Sequence, residues 1–127
     1  MMPTPPEPTS RMPAPTRRPV IEPGLVEIRT TFASRAAAAA CAERLVTSRL
    51  AACVQIDGPL TSTYRWQGAV ETAEEWRCTC KTTATRRDDC VAGILAVHEY
   101  ETPQVTIVPL EATTTYAAWV RTSVGEP

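Results

Sequence analysis

Soft metal ions are held by thiolate and imidazole donors, and the sequence offers five cysteines, Cys41, Cys53, Cys78, Cys80 and Cys90, with a single histidine, His98. Cys78 and Cys80 stand two apart in an alternating segment, so they share a strand face with roughly 6–7 Å between side chains. Such a pair holds a soft ion once a third ligand approaches. Their face also carries Val70 and Trp76, and a cysteine among apolar neighbours behaves as a small hydrophobe, so core packing is the expected role. Cys41 and Cys90 fall on the apolar stripes of two helices and carry the same expectation. Cys53 either begins a buried strand or presents a functional thiol. His98 closes a helix: as a cation it would complement the helix dipole, and as a neutral imidazole it would serve as a metal or anion ligand with Tyr100 and Glu101. One imidazole and one carboxylate make a weak transition-metal site, so further ligands would have to come from another subunit.

Lys81 lies on the wet face of a long strand. A solvated charge is the default there, and a small-anion ligand is the alternative if that face lines a cleft between subunits. Tyr64 and Trp66 stand near a hairpin tip with little local core to enter, which suits interface anchors. The sequence holds no Gly-rich phosphate loop, no nucleophile elbow and no HExxH, and one histidine offers few acid–base options. The remaining nucleophilic pairing is Cys53 with His98. No enzyme activity and no required cofactor are expected.

The elements that position these residues belong to a single domain, for 127 residues with 43% hydrophobic content supply one core. A net charge of −1 lacks the basic footprint of a nucleic-acid binder. No apolar run approaches the roughly 18 residues of a membrane span. The N-terminal residues have arginines without an apolar centre, so no export signal is expected, and the cysteines should stay reduced in the cytoplasm. Eight of the twelve prolines fall within the first 23 residues. That composition predicts a disordered, partly polyproline-like tail over 1–23 and a folded unit over 24–127.

Alternation predicts a strand over Leu25–Thr31. Ser34 then caps a helix whose stripe is Cys41, Leu45, Val46 and Leu50. Cys53–Ile56 is extended, Asp57-Gly58-Pro59 signals a turn, and extension resumes from Leu60 to Trp66. Gln67-Gly68 reverses the chain into a strand over Ala69–Thr82. Thr85 with Asp88 forms a capping box for a helix with the stripe Cys90, Val91, Ile94 and Leu95. Gln104–Pro109 is a short strand, and a helix over Thr113–Thr122 buries Tyr116, Trp119 and Val120. The order β-α-β-β-α-β plus one helix is a ferredoxin-like α+β sandwich with helices over one face of an antiparallel sheet. The strand over Ala69–Thr82 would extend roughly 45 Å, against a radius of gyration of about 13 Å for 100 residues. The hairpin must therefore project, and a second copy of the chain is the simplest cap for its edge.

Several segments resemble one family. ASRAAAAACAERLVTSRLAACVQI is similar to the first helix and second strand of CutA proteins, STYRWQG to their hairpin approach, and CKTT to the end of their long third strand. HEYETPQVTIVPL and YAAWVRTS resemble their last core strand and closing helix, and the likeness runs from Leu25 to Ser123. The resemblance implies a ferredoxin-like fold, a tight trimer made by strand exchange, a PII-like shape and a link with tolerance of divalent metals, copper above all. It brings no chemical reaction. Family position favours Cys53 and His98, with Glu101, as metal donors. Thr30 stands where certain bacterial relatives have a cysteine, Val97 where some have a second histidine, and Gln104 where an acidic residue is usual. These departures remove donors and leave the fold untouched. The expected function is a non-enzymatic homotrimer in copper tolerance. The alternative is a PII-like signalling or scaffold trimer binding a small anion through Lys81 and Tyr100.

Overall fold

The computed structural model describes Pro3 and residues 18–127. Most of the expected proline-rich tail lies outside the described residues, and strand structure already begins at Ile21. The elements are β1 (Ile21–Phe32), α1 (Arg35–Thr47), β2 (Cys53–Trp66), β3 (Ala69–Thr83), α2 (Arg87–Val97), β4 (Val105–Thr113) and α3 (Thr114–Ser123). The strands form one antiparallel sheet in the order β2-β3-β1-β4, which is the expected mixed α+β, ferredoxin-like arrangement.

Strand alternation sorts the core into two parts. Val26, Ile28 and Phe32 of β1 pack with Cys78 and Cys80 of β3 under Ala38, Cys41 and Leu45 of α1 and Cys90 and Ile94 of α2. Leu25 points the other way and packs with Ala52 against Ala117, Val120 and Val124 at the α3 end of the chain. Helices therefore cover both faces, α3 covering one end of the second, where a single covered face was expected.

Ser34 caps α1 as expected, its Oγ accepting from the Ala37 N–H at 3.1 Å. The Thr85–Asp88 capping box does not form. Arg86 takes the N-cap position without a side-chain bond, because Thr83 Oγ1 already accepts the Arg86 N–H at 3.1 Å and Asp88 pairs with Arg87 at 2.9 Å. Several expected core residues are exposed instead: Val46 (43%), Val70 (65%), Leu95 (51%), Tyr116 (38%) and Trp119 (41%). They flank narrower buried stripes or lie beyond the body, so the chain has nothing to set against them.

The expected turn at Asp57-Gly58-Pro59 is a bulge inside one continuous β2. The register against β3 shifts between Asp57 and Leu60, and Gly58 fits because Trp76 covers it, leaving a Cβ only 2.6 Å from the indole Cδ1. Beyond the bulge, Leu60–Trp66 pairs with Ala69–Glu75, while β1 reaches β3 only from Trp76 inward. Among the described residues the outer ribbon is thus two-stranded, and it reverses through Gln67 (φ 49°) and Gly68 (φ 82°), the paired positive angles of a hairpin turn matching strand twist.

Candidate functional site

His98 is the best-anchored of the expected ligands. It follows α2 in extended conformation (φ −73°, ψ 134°), and its ring stacks on Phe32 with centroids 4.3 Å apart. Nδ1 accepts the Tyr100 N–H at 3.2 Å. That donor is fixed, so the ring proton sits on Nε2, which lies 2.9 Å from the Thr31 carbonyl and 3.1 Å from Thr30 Oγ1. Burial lowers the His98 pKa against the opposing pull of the Thr31 carbonyl, Glu99 and Glu75. A neutral imidazole with both nitrogens engaged is poorly placed to complement a helix dipole. It ligates a metal only by giving up one of these bonds.

Tyr100 donates its hydroxyl to Glu75 Oε2 at 3.0 Å. Its pKa is pushed up to about 12, first by burial and then by that carboxylate. Glu101 is exposed on the loop beyond. Cys53 stands at another level of the sheet: it pairs with Lys81, which pairs with Glu27. Glu27 is four residues from Thr31, roughly 13 Å along β1. The fold of the chain therefore does not bring Cys53 to His98, either as metal donors or as a nucleophilic pair. Among the described residues no group of three His, Cys, Asp or Glu side chains could hold a metal ion.

The other thiols are buried in one core. Burial, then the neighbouring Cys90, raises Cys41 to about 11, and burial, then Cys41, raises Cys78 to about 12. The neighbouring Cys90, together with burial, raises Cys80 further. Cys90 is shifted the other way by its contact with Cys80, but it is as fully buried as the rest, and thiols among Ile, Leu and Phe side chains pack as small hydrophobes. Cys53 is the half-buried exception.

Lys81 is not a free cation. Its Nζ lies 2.9 Å from Gln55 Oε1 and 3.6 Å from Glu27 Oε1. Tyr100 bonds at Glu75, six residues along β3 and roughly 20 Å away, so the two expected anion ligands do not meet within the subunit. Gln55 and Glu27, which hold Lys81, line a cavity of about 480 Å³ together with Arg29, Ile56, Asp57, Arg77 and Thr79, and Lys81 itself is not part of that lining. Arg29 and Arg77 were not singled out from the sequence, although the alternation that placed Lys81 on a wet face applies equally to the rest of β3 and to β1. Tyr64 and Trp66 lie on the outer ribbon, 41% and 46% exposed.

Comparison with known proteins agrees with this architecture. Residues 26–123 match the family model described as CutA1 divalent ion tolerance protein. The chain belongs to the CutA1 divalent ion tolerance family. The divalent-cation tolerance protein CutA of Thermus thermophilus is 38% identical over 96 residues, covering 75% of this chain and 93% of the relative. The solved CutA of Synechococcus elongatus superimposes with a TM-score of 0.78 at 30% identity, over 83% of this chain and 96% of that one. CutA of Archaeoglobus fulgidus, described as periplasmic, gives a TM-score of 0.76 at 30% identity, over 79% and 98%. The CutA1 name denotes divalent-ion tolerance and not an enzyme activity. Among the described residues no helix is long and apolar enough to cross a membrane.

Proposed function

We propose that the chain is a non-enzymatic homotrimer acting in copper tolerance, with weak copper binding shared between subunits. The observation that carries the oligomer is the outer ribbon: Tyr64, Trp66 and Val70 stand exposed on strands with no third strand beside them among the described residues. Covering such surface with another copy is worth about 25 cal/mol per Å² of apolar area. Cys53 is the accessible thiol and the leading metal donor, and Glu101 and His98 join it only across a subunit boundary. Five free cysteines suit a reducing compartment such as the cytoplasm.

A second reading, a PII-like signalling or scaffold trimer that binds a small anion, draws on one observation, the two arginines, Arg29 and Arg77, that line the sheet-face cavity beside Glu27 and Asp57.

Native mass spectrometry of the reduced protein, with and without a few equivalents of copper, tests both parts. A trimer that gains one or three coppers, and loses them in Cys53→Ser, is the expected result. A monomer defeats the oligomer reading. A trimer that stays bare defeats the copper reading and leaves the anion reading standing.

A further inference from the structure

We propose that metal occupancy at His98 loosens the outer ribbon from the body, because His98 and Glu75 hold opposite ends of one residue, Tyr100. The proposal rests on the copper reading and adds to it a coupling between a metal donor and the ribbon.

The contacts meet where the ribbon leaves the body. Phe32↔Trp76 is the last pair that β1 makes with β3, and Glu75, the next residue outward, pairs with Leu60 beyond the bulge. His98 is fixed to the end of β1 by its stacking on Phe32 and by the contacts of Nε2 with Thr31 and Thr30. Tyr100, in the loop between α2 and β4, bridges from that ring to the ribbon. Its N–H donates to His98 Nδ1 at 3.2 Å, its ring lies 5.0 Å from the imidazole between centroids, and its hydroxyl donates to Glu75 Oε2 at 3.0 Å. Glu99, between the two in sequence, turns to β1 instead and accepts the Ala33 N–H at 3.4 Å.

Imidazole ligates a metal through an unprotonated nitrogen. With the proton on Nε2, the available lone pair is that of Nδ1, the one that accepts the Tyr100 N–H. Using Nε2 would cost its proton and both contacts to β1, so Nδ1 is the donor. A lone pair given to a metal is lost to Tyr100, whose N–H must turn to another partner. Displacing that backbone also withdraws the hydroxyl that holds Glu75. The coupling is reciprocal: the bridge that anchors the ribbon opposes the metal, and removing the bridge must tighten metal binding.

Cu(I), added under argon to the reduced full chain, is the probe. His98 is the single histidine, so its ring 15N resonances report the ligating nitrogen, and amide hydrogen exchange reads the ribbon. Copper should move the Nδ1 resonance and speed exchange at Tyr100 and from Leu60 to Trp66 at least threefold. Tyr100→Phe keeps the ring and the N–H without the hydroxyl. It should show the fast ribbon exchange before copper is added, no further change after, and a several-fold tighter apparent Kd. Copper that binds without moving Nδ1, ribbon exchange that ignores a moved Nδ1, or a Tyr100→Phe chain that binds copper no more tightly overturns the coupling and leaves the copper reading standing. If the chain takes up no copper, both fall.

Discussion

His98 shows how a residue chosen for its chemistry can be used up by structure. Its ring is held by the Tyr100 N–H, the Thr31 carbonyl and the face of Phe32, and those contacts fit the neutral form. Protonation would set a second ring N–H against the Tyr100 donor, beside the carboxylates Glu75 and Glu99 that partly favour the cation. The pH dependence follows in sign. The folded pKa lies below the ordinary 6.5, so between the two values the unfolded chain binds more protons and stability rises with pH. The contribution is fully present above pH 6.5 and is lost as pH falls through the folded value. Because His98 is the single histidine, its ring protons are directly assignable by NMR. A titration midpoint below 6.5 in the native protein, with a normal midpoint in urea, is the expected result; a native midpoint at or above 6.5 would contradict the hydrogen-bond assignment. The sequence pointed to this residue and to its neighbour Tyr100 but not to its partners on β1, because Thr30, Thr31 and Phe32 lie more than sixty residues away in the chain.

At the scale of elements, the β2 bulge decides how the ribbon leaves the body. Asp57-Gly58-Pro59 carries strong turn residues, and local chemistry alone predicts a reversal. The β3 ladder overrides it by pairing on both sides, so the one extra residue is absorbed as a bulge that bends one strand. Gly58 is required for close approach. An added Cβ would meet Trp76 Cδ1 at 2.6 Å, Trp76 Cγ at 2.9 Å and the Glu75 carbonyl at 3.0 Å, at a φ of 156° that side chains disfavour. These are the base of a ring and a backbone atom, which cannot swing aside. Gly58→Ala should therefore cost about 2 kcal/mol, the usual scale of overpacking with local strain, measured as a lower urea midpoint with shifted Trp76 fluorescence. An unchanged midpoint would show that the ring has room to move. Strand and helix order were legible because periods of 2 and 3.6 are local. What covers each apolar stripe was not legible. Tyr116 and Trp119 have the spacing of buried residues, yet the packed side of α3 is the small-residue side, Ala117 and Val120.

For the whole molecule, the mismatch between ribbon and body is the feature on which the proposed association rests. Seven residue pairs, Leu60↔Glu75 to Trp66↔Ala69, lie beyond the last β1 contact, a reach of roughly 23 Å. A two-stranded ribbon of that kind is marginal in water by itself. Its length was readable in the sequence, since an alternating run outlasting any strand that could flank it is a local pattern. The surface that would receive it in the proposed trimer was not, because a docking face is assembled from distant residues and has no period. Exposed aromatics on the ribbon predict where association is concentrated. Replacing Tyr64 and Trp66 with serine should leave the body folded, because neither residue belongs to its buried clusters. It should cost about 2 kcal/mol or more per anchor at each interface, enough to shift a trimer toward monomer at micromolar concentration. Sedimentation velocity with far-UV circular dichroism separates the outcomes. A monomer with native helix and strand content is the expected result. An intact trimer would mean that the sheet edges alone hold the subunits together, with the aromatics as bystanders.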